Sequence, residues 1–234
     1  MPEASTLAFE DSPAIDGVLL NIGLLADNDD LAAVNRARIE AAGARCVNIM
    51  SSPGSGKTTL LEATLAAFAG TPRIGIIEGD MTTELDADRL RSHGAHVAAI
   101  TTGRSCHLEA DQIAAGLDRL ADAAGSLNTF DLMVIENVGN LICPAAYDLG
   151  EHTRVVLVAV TEGDDKPLKY PIMFHGADCV VITKIDIAPY LKIDLDRLTA
   201  NIRQVNPMAT VFALSSESGA GMDAWLDWLR AQRA

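Results

Sequence analysis

The sequence predicts an α/β protein: a mostly parallel sheet covered by helices on both faces, three layers in all. Three observations carry this. Seven short β-branched runs, at Cys46–Met50, Ile74–Ile77, His96–Ile100, Leu132–Ile135, Arg154–Val160, Cys179–Ile182 and Thr210–Leu214, are apolar almost throughout, as strands buried on both faces are. Helical stretches at Lys57–Phe68, Glu84–Ser92, Leu108–Ala124, Leu195–Gln204 and Met222–Arg230 fall between most of them. A loop of glycines and serines joins the first of these strands to the first of these helices.

Ahead of the alternation, residues 1–20 mix acidic and small residues with no clear period, and residues 1–26 are expected as a mobile or loosely docked arm. Residues 27–234 form the folded domain in this reading. Its first segment, Asp27–Gly43, fits a capped helix, with acidic residues at the start, arginines later and Gly43 as the stop. No internal repeat and no Pro/Gly/Ser linker divides the rest of the chain.

Composition narrows the function classes. Among 234 residues, 18 Lys and Arg stand against 32 Asp and Glu, a net charge of −14. Such a surface repels phosphate backbones and anionic bilayers, so neither nucleic-acid binding nor membrane adhesion is expected. A single phosphate ligand in a local pocket is compatible with it, because such pockets are lined by backbone N–H groups. Four dispersed cysteines, Cys46, Cys106, Cys143 and Cys179, do not make a disulfide framework. With no secretory pattern at the start and no apolar run beyond strand length, a soluble cytoplasmic protein is expected.

The loop Ser51-Ser52-Pro53-Gly54-Ser55-Gly56-Lys57-Thr58-Thr59 is a Walker A sequence with Ser51 in place of the usual first glycine. Gly54 and Gly56 let the backbone curl so that the N–H groups of Ser55 through Thr59 face phosphates. Lys57 brings a point charge toward the β- and γ-phosphates, and Thr58 offers a hydroxyl to Mg²⁺. The helix that begins here adds its positive N-terminus.

Three further segments bear on the nucleotide. Thr183-Lys184-Ile185-Asp186 closes a late buried strand and matches the [NT]KxD guanine motif. The Asp186 carboxylate can accept both N1–H and N2–H of guanine, a donor pair adenine lacks, while the Lys184 stem lies along the base. GTP is therefore favoured over ATP, with Ser215 and Ser216 as further base contacts. Glu78-Gly79-Asp80 and Glu136-Asn137-Val138-Gly139-Asn140 end two other buried strands, where Mg²⁺ and the attacking water must be managed. Asp80 is the first choice as metal ligand, with Asp86 as a switch-segment candidate. Glu136 occupies the Walker B position, and Gly139 can donate its N–H to a γ-phosphate. Asp88 reads as a solvated helix face.

Cys106-His107, in a loop before a helix, and Cys143, just after ENVGN, form a second constellation. Two thiolates and an imidazole suit Zn²⁺ or Ni²⁺. An adjacent Cys-His pair alone is equally what a half-buried thiol beside an incidental histidine looks like. The position of Cys143, a few residues past the switch-like ENVGN, adds weight to the metal reading. Three protein ligands would leave the shell open, which suits transfer better than storage. Cys46 and Cys179 read as core, His93 and His96 as solvent-exposed, and His152 and His175 carry no signal.

Together, SSPGSGKTT, EGDMTTELDADR, TTGRSCHLEA, ENVGNLICPAAYDLGE, TEGDDKPLKYP and TKID, in that order, resemble the HypB family, the nickel-handling GTPases of [NiFe]-hydrogenase maturation. The resemblance runs from about Asp27 to the C-terminus. It implies a P-loop GTPase fold and a GTP-hydrolysing metallochaperone that dimerises with nucleotide. It implies Lys57 and Thr58 at phosphate and Mg²⁺, Asp186 at guanine, and Cys106, His107 and Cys143 at a metal site near the dimer interface. Lys166 and Lys169, in TEGDDKPLKYP, are implied near the nucleotide or the twin subunit. The implied partners are a HypA-type zinc accessory protein and, as client, the hydrogenase large subunit. Residues 1–30 hold no Cys and no His, so the N-terminal nickel motifs of some members are not expected here. No arginine finger can be assigned, so slow hydrolysis is expected, with Arg104 the one trans candidate. The competing readings are a metal-storage or sensing module with structural nucleotide, and the related nickel GTPase of urease maturation, whose motif is Cys-Pro-His.

Overall fold

Hydrophobic alternation on both faces of the central strand sets the layers. In β1 (Arg45–Ser51), Val47 and Ile49 point to one side and Cys46 and Met50 to the other, and all four are buried. The structure, a computed structural model, describes residues 13–233, with side chains from residue 25.

The remaining strands are β2 (Ile74–Asp80), β3 (His96–Thr101), β4 (Leu132–Glu136), β5 (Thr153–Ala159), β6 (Cys179–Thr183) and β7 (Thr210–Ala213). They form one sheet in the order β3-β2-β4-β1-β5-β6-β7, every pair parallel. The three-layer α/β expectation stands, and the architecture is that of P-loop GTPases.

On one face, α2 (Lys57–Phe68), α3 (Leu85–Ser92) and α8 (Met222–Arg230) pack through Leu60, Leu61, Leu90, Trp225 and Leu229. The Trp225 indole N–H is not stranded there: it donates to Thr64 Oγ1 at 2.9 Å. The other face carries two clusters. Ile113 and Leu117 of α4 (Ala110–Ala124) cover Ile77, Met133 and Ile135. Phe174 of α6 (Pro171–His175) and Leu198 and Ile202 of α7 (Leu195–Val205) cover Val156, Val158 and Val180. A single-turn helix, α5 (Lys166–Lys169), precedes α6.

The helix expected from about Asp27 is α1 (Pro13–Ala41), which begins some four turns earlier. It takes in residues 13–26 of the segment expected as an arm, while residues 1–12 lie outside the described residues. Proline is well suited to a first helical position, and Gly17 and Gly23 inside the run cost propensity without stopping it. Two buried asparagines on one face, two turns apart, hold α1 down. Asn28 accepts from the Ala110 N–H and donates to Asp148 O, and Asn35 donates to Ala110 O.

Two features place the site. β1 sits between β4 and β5, where the chain's crossovers reverse direction, and the loop leaving it opens at the C-terminal edge of the sheet. The loops after β2, β4 and β6 open on the same edge. Among the described residues no helix is long and apolar enough to cross a membrane.

Candidate functional site

The Walker A loop is shaped by two left-handed glycines, Gly54 (φ 74°) and Gly56 (φ 94°). Ser51 needs no such conformation, which explains why serine replaces glycine there. Its buried hydroxyl donates to Ser52 O at 2.7 Å and stands 3.3 Å from Lys57 Nζ. Gly56 also serves as N-cap of α2 and brings no capping side chain, so the first N–H groups of that helix remain for a ligand. Gly54, Gly56, Lys57, Thr58 and Thr59 line a cleft of about 220 Å³ together with Asp86, Arg89, Glu136 and Lys184. Burial pulls the Lys57 ammonium below its ordinary range, and Glu136, Asp86, Glu78 and Asp80 pull it back.

The carboxylates crowd this cleft. Thr58 donates to Glu136 Oε1 at 2.6 Å, while the buried Glu136 Oε2 has no partner. Burial raises Glu136 to about 7 against the opposing charge of Lys57 and the Thr58 hydrogen bond. Asp80 behaves differently. Burial works to raise it, but N–H bonds from Thr82 and Thr83 at 2.8 and 2.9 Å, with Lys57, hold it below its usual value. Asp86 opens α3 and pairs with Arg89, which also reaches Glu62. Asp88, exposed, pairs with Arg91, as a solvated helix face requires.

A second cleft of about 250 Å³ adjoins the first and shares Gly56, Thr59 and Lys184 with it. Asp186, Ser215 and Ser216 line it, as a base-binding role for them requires. Lys184 adopts a left-handed conformation (φ 62°), and its ammonium donates to Gly54 O at 2.7 Å. That bond lays the aliphatic stem along the cleft wall. Thr183 donates to Ser55 O at 2.7 Å, so the β6 loop is tied directly to the phosphate loop. Ser215 is fully buried, and its hydroxyl accepts from the Ser218 N–H.

Cys106, His107 and Cys143 come together, their candidate donor atoms all within 4.8 Å of one another. The two sulfurs are 3.1 Å apart and His107 Nδ1 is 3.9 Å from Cys106 Sγ. Tyr147 stacks on the imidazole at 4.1 Å, and Glu109 lies 3.4 Å from Nε2. This donor set of two sulfurs and a nitrogen fits a borderline-soft divalent cation. Cys46 and Cys179 are buried in the core, and His93 and His96 are exposed.

The two sites touch through ENVGN. A Cβ on Gly139 would stand 2.9 Å from Pro53 Cα, so this segment lies directly on the phosphate loop. Next along, Asn140 donates to Cys106 O at 3.3 Å, and Asn137 Oδ1 accepts from the Leu108 N–H.

Residues 45–213 match the family described as CobW/HypB/UreG, nucleotide-binding domain. A hydrogenase maturation factor HypB of Azotobacter vinelandii is 47% identical over 210 residues, covering 90% of this chain and 68% of that protein. The chain belongs to the HypB family. The hydrogenase/urease maturation factor HypB of Helicobacter pylori is 43% identical, over 88% of this chain and 84% of that one. The crystal structure of HypB from Helicobacter pylori in complex with nickel superposes with a TM-score of 0.83 at 42% identity, covering 88% of this chain and 94% of that one.

Several residues of this HypB-family site escaped the sequence reading. Glu162, on the β5–α5 loop, accepts from Ser55 Oγ at 2.7 Å and from the Ala159 N–H, fixing the phosphate loop from the side. Its other oxygen lies 3.2 Å from Lys166 Nζ, and Lys166 also sits over the Tyr170 ring. Lys169 pairs with Asp165 at the surface. Tyr147 and Asn137 lay inside quoted motifs without a role of their own, and Glu78 was overshadowed by Asp80. The signal for Glu162 was available: an acidic residue at or just past the end of a buried strand, as with Glu78 and Glu136.

Proposed function

We propose that this protein is a GTP-hydrolysing metallochaperone that delivers nickel during [NiFe]-hydrogenase maturation. The single observation that carries the reading is the contact of the two sites: a three-ligand Cys/His cluster hangs on the same ENVGN segment that presses on the phosphate loop. The names of the relatives support it, hydrogenase maturation factor for one and a nickel complex for another.

The residues divide the work. Asp186 reads guanine, with Lys184 along the base and Ser215 and Ser216 at its far edge. Lys57 and the N–H groups of Gly54 through Thr59 hold the phosphates. Thr58 and Glu136 would hold Mg²⁺, with Asp80 and Asp86 at the mouth; the buried, unpartnered Glu136 Oε2 is a fit for a cation. Magnesium, when bound, would supply positive charge against the phosphates. Gly139 donates its N–H to the γ-phosphate, and its displacement on hydrolysis moves Asn140, Cys106 and Cys143. Turnover is slow alone. The guanidinium at the phosphate cleft, Arg89, is engaged by Glu62 and Asp86, and Arg104 is exposed on the metal loop.

The cargo is Ni²⁺, with Zn²⁺ as competitor for the same ligands. The working unit is a nucleotide-dependent homodimer in the cytoplasm. A HypA-type zinc protein supplies or receives the metal, and the hydrogenase large subunit is the client. The name of the Helicobacter pylori relative favours one second reading, service to urease as well.

The test is size-exclusion chromatography with metal analysis on the protein alone, with GDP, and with a non-hydrolysable GTP analogue. About one Ni²⁺ per chain and a dimer that depends on nucleotide are expected. A monomer throughout with unchanged metal content overturns the reading, and many ions per chain would indicate storage.

A further inference from the structure

Glu78 is buried to 2% exposure, its Oε2 has no hydrogen-bond partner, and no role in the proposed mechanism uses it. It lies near the C-terminal end of β2, in register with Glu136, which ends β4. Register partners on adjacent parallel strands point to the same face, with backbones about 4.8 Å apart. That face is the α2 side, because Ile76 and Val134, two residues back on each strand, join Leu60 and Leu61 in the core there. Two buried carboxyl groups therefore enter one space above the start of α2, each with an oxygen that nothing satisfies.

Burying an unpartnered carboxyl costs stability that an apolar residue would not. Lys57 is the cation nearest at hand, and it is already shared among Glu136, Asp86, Glu78 and Asp80. A divalent cation arriving with the nucleotide would bring the positive charge that this carboxyl pair lacks.

We propose that Glu78 is a positioning residue for the nucleotide's divalent cation, completing with Glu136 a paired-carboxylate floor beneath it. The proposal rests on the GTPase reading above. It assigns Glu78 to linking cation and nucleotide binding, through the cation or a water bound to it, and gives it no contact with guanine or the phosphates.

The experiment measures GDP affinity by fluorescent-analogue titration in excess Mg²⁺ and in EDTA, for the wild type, Glu78→Gln and Glu78→Asp. The readout is the ratio of the two affinities, which a general loss of packing would not selectively change. Glu78→Gln keeps the shape and removes the charge. Its ratio is expected to fall about tenfold, the size of effect that loss of a supporting carboxylate has at bound metals. Glu78→Asp, with its charge one methylene back, is expected to recover part of it. A wild-type ratio in Glu78→Gln overturns the proposal. Should that variant fail to bind GDP even in EDTA, Glu78→Asp decides: an intermediate ratio supports the proposal and an unchanged ratio overturns it. Failure of the wild type to bind GDP under either condition would instead sink the GTPase reading.

Discussion

A Cβ at position 139 would meet backbone, Pro53 Cα at 2.9 Å and Pro53 N at 3.0 Å, and backbone cannot swing aside as a side chain can. Gly139→Ala must therefore displace either ENVGN or the phosphate loop. Overpacking of this kind costs about 1–3 kcal/mol. If that cost falls on the nucleotide-competent arrangement, GDP affinity drops roughly 5- to 150-fold, which a fluorescent-GDP titration measures directly. A drop below twofold would show that the contact relaxes freely. Asp186 allows a prediction about chemistry rather than space. In the proposed role its carboxylate accepts two N–H donors of guanine, and an amide in its place turns one acceptor into a donor. Asp186→Asn is expected to lose guanine affinity by about a hundredfold or more while gaining relative affinity for xanthine, which carries a carbonyl where guanine carries its amino group. Competition binding with GDP and XDP checks this, and an unchanged preference would move base recognition away from Asp186.

Helix α1 illustrates what governs an element. It is held against α4 and the segment leading into β5 by buried asparagines and by Arg36, whose Nη2 lies 2.8 Å from both oxygens of Asp148. Burial works to raise Asp148, but Arg36 and the Gly150 N–H outweigh it, and its carboxyl sits below the ordinary 3.8. A depressed folded value means that the stabilisation is fully present above the unfolded value and is lost as pH falls through the folded one. Urea unfolding of the wild type and Asp148→Asn should therefore differ at pH 7, and the difference should shrink steadily below about pH 4. A gap independent of pH would mean that the contact is steric. Gly150 makes the stronger clamp: with φ 92° and Ala32 O 2.6 Å from a would-be Cβ, Gly150→Ala should cost at least about 1–3 kcal/mol by the same measurement. These contacts also explain what sequence could reveal. Strands such as β1 were legible because both faces are apolar, and the phosphate loop because its residues are local. The start of α1 was hidden by two internal glycines and a run without period. Glu78 was hidden because its meaning lies in register with Glu136, 58 positions on, and Glu162 because it acts on Ser55 across the fold. Cys106, His107 and Cys143 were legible as donor types, while their convergence is a product of tertiary structure.

At the scale of the whole molecule the question is how a nucleotide and a metal ion influence each other. The path is short. Pro53 touches Gly139, Asn140 holds Cys106 O, Asn137 holds the Leu108 N–H, and Cys143 lies a few residues further along the same chain segment. A path of contacts is only a place where coupling can live; the physical warrant is a free energy measured in both directions. If the γ-phosphate moves Gly139, Ni²⁺ affinity must differ between GDP- and GTP-analogue-bound protein, and Ni²⁺ must change nucleotide affinity by the same factor. A coupling of about 1–3 kcal/mol, 5- to 150-fold, is expected in the wild type. Asn140→Ala removes the hydrogen bond to Cys106 O and a side-chain contact with Cys143, so its Ni²⁺ affinity is expected to shift in at least one nucleotide state. What should collapse is the difference between states, to within about twofold. The measurement is a set of four Ni²⁺ titrations by isothermal calorimetry, wild type and Asn140→Ala, each with GDP and with a non-hydrolysable GTP analogue. Equal wild-type affinities in the two states would end the coupled-carrier mechanism. A large difference that survives in Asn140→Ala would keep the mechanism and move its route to Asn137 and Leu108.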